Sequence, residues 1–204
     1  PCTTDSLYNE NTLIGRLHKY FSAYFETFSA PSAEMLFLLI LSILALESAH
    51  SIRFLYRHFL SGITTKSLNA FYYACSYAKV DCSGFMNVTA KIALHLIPES
   101  LKSQPVFIRF AGIEISYYEQ KTFWSLCSYM VRSCKGIEMM INLINITYCG
   151  MKLLSYQDEK FSDYRDKSVQ DFRFALSECI RQQVFFATFV KNIETRIKSS
   201  SVIN

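Results

Sequence analysis

The sequence predicts a mainly α-helical protein, and three observations point that way. Only four prolines and six glycines interrupt 204 residues, half of the residues are apolar, and the apolar positions recur at helical spacing along most of the chain. A chain of this length fills one domain or two small ones. A change of texture near residue 104 divides it into an N-terminal helical region, 1–104, and a C-terminal helical region, 105–204.

The first helix is expected over residues 11–28. There Leu13, Ile14, Leu17, Tyr20, Phe21, Tyr24, Phe25 and Phe28 share one stripe, and Asn11 can cap the start. Pro31 opens a second helix in its first turn, where a missing N–H removes no bond. That helix carries the most apolar run of the chain, the twelve residues from Met35 to Leu46, closed by Glu47. A membrane span needs about 20 such residues, so the run is expected as a buried core helix, with no membrane as partner.

Residues 50–79 read as helix, short turn, helix. Ile52, Leu55, Tyr56 and Phe59 line the first helix, and Ser61-Gly62 breaks it. Thr64, Thr65 or Ser67 can cap the second, which turns Leu68, Phe71, Tyr72 and Cys75 inward. A further apolar helix covers 85–97 and stops at Pro98. Residues 105–110, P-V-F-I-R-F, read as a lone strand, which cannot satisfy its own backbone. Helical patterning resumes near Ile113 and continues to Leu154, with a break near Ser133 or Gly136. After a polar loop at 155–167 the last helix begins at Ser168, with Asp171 in the capping-box position, and runs to Ile197.

The net charge is +4, with eight basic and seven acidic residues up to position 104 and thirteen and ten beyond it. This mild excess permits contact with nucleic acid without demanding it. The seven cysteines are odd in number and form no C-x-x-C pair, which reads as buried reduced thiols in a cytoplasmic protein rather than a disulfide or zinc framework. The glycine-rich phosphate loops and the G-x-S-x-G elbow are absent, so standard nucleotide binding and α/β-hydrolase chemistry lack support. Glu47 and His50 form one E-x-x-H pair. A di-iron site needs a second pair and two more glutamates, so a helix-surface pair is the simpler reading.

Two stretches carry candidate chemistry. The 50–79 unit has the pattern of a helix-turn-helix, whose second helix would offer Lys66, Asn69, Tyr73, Ser76 and Lys79 outward to phosphates and base edges. An ordinary αα-hairpin has the same pattern. In Arg109–Lys121, Glu114 and Lys121 are seven apart, so a helix would project both from one face. A carboxylate beside a cation can hold a divalent metal near a phosphate; a solvated charge pair looks identical by spacing.

The wording of this second stretch goes further. I-E-I-S-Y-Y-E-Q-K-T-F-W-S-L, beginning at Ile113, resembles the C-terminal signature of bacterial insertion-sequence transposases of the DDE class, the branch marked Y-x2-R-x3-E-x6-K. The resemblance extends to Ser51–Leu55, to Leu60–Ser67, and through Met151–Leu154 to the last helix. It implies an enzyme that cuts and rejoins DNA ends, with two aspartates and a glutamate on an RNase-H-like sheet holding two Mg²⁺. In that scheme Glu114 is the third carboxylate and metal ligand, Lys121 contacts DNA near the scissile phosphate, and Arg109 is the signature arginine.

This chain departs from the pattern. Four residues separate Arg109 from Glu114 instead of three, and Val106 stands where the tyrosine belongs. Between Asp81 and Asp158 there is no aspartate. The segments on either side of residues 107–112 are separated by a long catalytic core in the family, which implies an internal deletion that removed most of the catalytic sheet. One carboxylate cannot position two ions roughly 4 Å apart, so Mg²⁺ is implied by the family and not expected on this chain. The expected function is that of an inactive, DNA-binding transposase remnant, with transposon ends, a second copy or full-length transposase as partners. The alternatives are an interaction protein that inhibits the full-length enzyme and an unrelated helical scaffold.

Overall fold

The computed structural model describes residues 8–46, 51–77, 83–102, 120–121 and 133–200. Among these residues all regular structure is helical and no strand occurs. The elements are α1 (Leu13–Ser22), α2 (Ala30–Ala45), α3 (Ile52–Leu55), a π-helical turn (Tyr56–Leu60), α4 (Ser61–Ile63), α5 (Leu68–Tyr77), α6 (Ser83–His95), α7 (Glu99–Lys102), α8 (Cys134–Gln157), a 3₁₀ turn (Glu159–Tyr164) and α9 (Val169–Ser200).

The helix α2 is the axis around which the others pack. Every residue from Met35 to Ala45 is buried, because α1, α5, α8, α9 and the π turn surround it. A helix that is apolar on all sides is stable in water only when enclosed, each large side chain gaining about 1.5–3 kcal/mol by burial. Its buried hydroxyl, Ser42, donates to the Leu39 carbonyl at 2.7 Å. Its C-terminal end is closed from α9: the Arg173 guanidinium donates to the carbonyls of Leu46, at 2.6 Å, and Ile43, at 3.5 Å. No described helix is long and apolar enough to cross a membrane.

Helices from before and after residue 104 share this one core. α1 is shorter than its apolar stripe: it ends at Ser22, and tight turns carry Tyr24, Phe25 and Phe28 onward to meet Phe85 of α6. Its cap is Thr12 rather than Asn11, the Thr12 hydroxyl accepting from the Gly15 N–H at 3.0 Å. Gly150 of α8 lies against α1 so closely that a Cβ there would sit 2.8 Å from the Phe21 ring. Ser133 caps α8, accepting from the Gly136 N–H at 3.0 Å. Ser168 and Asp171 form the expected start of α9, the hydroxyl accepting from the Asp171 N–H at 3.1 Å and donating to its carboxylate at 2.7 Å.

Two further boundaries differ from expectation. The helix does not break at Ser61-Gly62, which lie in α4; it breaks at Thr64–Ser67, where Thr64 turns extended and its hydroxyl accepts from the Lys66 N–H at 3.2 Å. The polar loop at 155–167 is partly helical, because α8 runs on to Gln157 and Asp158 then caps the 3₁₀ turn through the Lys160 N–H at 3.1 Å. The cysteines are not uniformly buried: Cys75 is buried and Cys149 half-buried, whereas Cys134 and Cys179 are exposed. The strand-like segment 105–110 and the Glu47/His50 pair lie outside the described residues.

Candidate nucleic-acid interface

The helix pair expected at 50–79 is present. Its first arm is α3, the π turn and α4 run together; Ser51 caps it, the hydroxyl accepting from the Phe54 N–H at 3.1 Å. Ile52, Leu55, Phe59, Leu60 and Ile63 face the core. Arg53, Arg57 and His58 are left on the solvent side, with the His58 ring 4.4 Å from that of Phe54. The π turn widens the helix by one residue per turn where the basic positions lie. After the link Thr64–Ser67, α5 packs Phe71, Ala74 and Cys75 inward against α2 and α8.

The outward side of α5 is only partly the one expected. Asn69 is exposed, and Tyr73 and Tyr77 are exposed and stacked, ring centroids 5.0 Å apart at 28°. Lys66 is not an open cation: it is half-buried and paired with Glu34 at 3.2 Å, because the link folds back onto the start of α2. Ser76 is also engaged, its hydroxyl 3.2 Å from that of Ser133. Lys79 lies outside the described residues.

Of the C-terminal candidates, Lys121 is exposed and helical beside buried Gln120. Arg109 and Glu114 lie outside the described residues. Among the described residues no group of three His, Cys, Asp or Glu side chains could hold a metal ion. Burial pushes the Cys75 thiol up to about 12, so it stays protonated and is no thiolate ligand.

Sequence reasoning passed over Arg53, Arg57 and His58, although the i, i+4 spacing of the arginines opposite Ile52, Leu55 and Phe59 marks an exposed basic edge. It also passed over three cations at the turn between α8 and α9. Lys152, Arg165 and Lys167 lie 5.0, 5.5 and 4.9 Å from the ring centres of Tyr148, Tyr156 and Tyr164. The three cations line a cleft of about 220 Å³ with Tyr156 and Tyr164. Their sequence signal was masked by Asp158, Glu159, Asp163 and Asp166 interleaved in the same segment.

Chemically, the helix pair offers permanent cations, an amide and a stacked aromatic pair on a rigid base. That set suits phosphate contacts and base or sugar packing. No protein-family profile, curated protein or solved structure matches this chain.

Proposed function

We propose that this chain is a DNA-binding remnant of an insertion-sequence transposase of the DDE class, with most of the RNase-H-like catalytic sheet deleted. The observation that carries the reading is the coincidence of two sequence features. The stretch from Ile113 to Leu126 has the wording of the family's glutamate-bearing signature, and no aspartate stands between Asp81 and Asp158 to complete it. In this reading the 51–77 helix pair is a helix-turn-helix, with α5 the recognition helix and Arg53 and Arg57 the phosphate anchors. Lys121 and Arg109 are further DNA contacts, and Lys66 supports the fold through Glu34 rather than the ligand.

Fluorescence anisotropy with duplexes that carry the inverted repeats flanking the gene tests this. Binding should weaken steeply between 50 and 200 mM salt, as phosphate contacts release counterions. Arg53→Ala and Arg57→Ala should each lower the magnitude of the salt slope by about one, while Lys66→Ala lowers it less. No binding at low salt, or binding indifferent to salt, would refute it.

A second reading has its own support. Exposed phenylalanines on α9 favour a helical interaction protein that pairs with full-length transposase and so inhibits it. Co-purification with an intact transposase would distinguish this from a remnant that binds DNA alone.

A further inference from the structure

Where α8 gives way to α9, the chain forms a cleft of about 220 Å³ with an apolar floor and a cationic rim. Met151 and Phe172 on the floor are buried, and the Phe172 ring stacks on that of Tyr164, centroids 4.8 Å apart at 19°. Arg165 and Lys167 stand exposed on the rim. The Arg165 Nε–H donates to the Ser155 carbonyl of α8 at 2.9 Å, which holds the guanidinium 5.5 Å from the centre of the Tyr156 ring. The Lys167 ammonium lies 4.9 Å from the centre of the Tyr164 ring.

These contacts orient the two cations without neutralising them, because ring faces and a carbonyl carry no net charge. Among the described residues, the Arg165 Nη groups and the Lys167 Nζ meet no carboxylate, and no Asp or Glu lines the cleft. The acidic neighbours are turned to other tasks. Asp158 pairs with Arg16, and Asp171 accepts from the Ser168 hydroxyl and lines an adjoining hollow. Lys152 also lines the cleft but is engaged, over the Tyr148 ring and in further contacts, so Arg165 and Lys167 are the cations left to bind. Ser168 and Val169 open the 32-residue α9 on the same cleft, which adds the positive end of that helix.

Two oriented positive charges above an apolar floor match a dianion with an apolar body. The Arg165 fork presents paired N–H donors that suit two phosphoryl oxygens, and Lys167 supplies a point charge for a third. A phosphate monoester carries between one and a half and two negative charges, roughly, near neutral pH, whereas a carboxylate carries one. The volume is below the roughly 300–1,000 Å³ of drug-sized sites, so the body is small. We infer that this cleft binds a small phosphate monoester: Arg165 and Lys167 hold the phosphoryl oxygens, and the body lies on Met151 and the Tyr164–Phe172 stack. The site uses no residue of the 51–77 helix pair and does not depend on the DNA reading.

Phenyl phosphate titrated with the full chain near pH 7.5 and followed by ³¹P NMR is the test. A saturable shift with a Kd of about 0.1–1 mM is expected. Inorganic phosphate, which lacks the body, should bind at least roughly fivefold more weakly, and phenyl sulfate, with one charge, should displace the ester only at roughly tenfold higher concentration. Lys167→Ala and Arg165→Lys should each weaken the ester roughly tenfold, with the melting temperature of Lys167→Ala unchanged. Lys160→Ala, an exposed lysine of the same turn that does not line the cleft, should leave binding intact. No saturation up to roughly 10 mM, inorganic phosphate binding as tightly as the ester, an equal loss in Lys160→Ala, or displacement by an equimolar short DNA duplex would each overturn the inference. Arg53→Ala should weaken DNA binding and leave phenyl phosphate binding unchanged, so failure here and failure of the DNA reading are seen separately.

Discussion

At the scale of single residues, the most telling side chain is His18. Its ring stacks on Tyr8 at 4.4 Å and meets the edge of Phe37 at 4.9 Å. Burial lowers its pKa below the ordinary 6.5, and the nearby carboxylate of Glu34 offsets only part of that. The folded chain therefore resists the proton that the unfolded chain accepts. Stability should be full above about pH 7 and fall as the pH drops through 6.5 towards 5.5, where carboxylates begin to contribute. Thermal melts at pH 7.5 and 5.5 should show a smaller drop for His18→Gln than for the parent chain; equal drops would show that His18 is not the group responsible. This microenvironment was not legible in the sequence, because Tyr8 and Phe37 reach His18 from both sides along the chain. The cap at Ser168 was legible, since it bonds a backbone N–H three residues away and obeys a local rule, whereas at Ser133 the sequence marked only a break.

At the scale of elements, α2 shows what pattern reading can and cannot supply. Its apolar run announced a buried helix, and Met35 to Ala45 are indeed enclosed. What the run did not announce is how its end is closed. The carbonyls at a helix C-terminus need donors, and a buried end has no water to provide them. Arg173, 6% exposed and 127 residues from Leu46, supplies them across the core. As a polar position on the apolar side of α9 it reads in sequence only as a break in the stripe. Arg173→Met keeps the volume and removes the donors, leaving buried carbonyls unpaired. The expected loss is roughly 2–3 kcal/mol, or about 5–10 °C in melting temperature for a chain of this size. A melting temperature unchanged within 1–2 °C of the parent would mean that the end of α2 is satisfied without Arg173.

At the scale of the whole molecule, the helical class was legible because it follows from apolar periodicity, whereas the sharing of one core by helices from before and after residue 104 was not. The function rests instead on where acidic side chains converge, which periodicity does not encode. Two-metal phosphodiester chemistry needs several carboxylates on one point, each with an open lone pair. Of the two aspartates that bracket the signature stretch in sequence, Asp158 is committed elsewhere. Asp158 is already occupied, pairing with Arg16 at 3.0 Å while capping the 3₁₀ turn, and Asp81 follows α5 in a segment outside the described residues. Glu114 then has no partner that the sequence supplies nearby, apart from Glu119 five residues on. Under the proposed reading, purified chain incubated with supercoiled plasmid and 5–10 mM Mg²⁺ or Mn²⁺ leaves the plasmid supercoiled, and the metals leave its melting temperature where it was. Nicking that needs the metal and disappears in Glu114→Gln would establish a complete metal site, and the deleted-enzyme reading would have to be given up in favour of an active one.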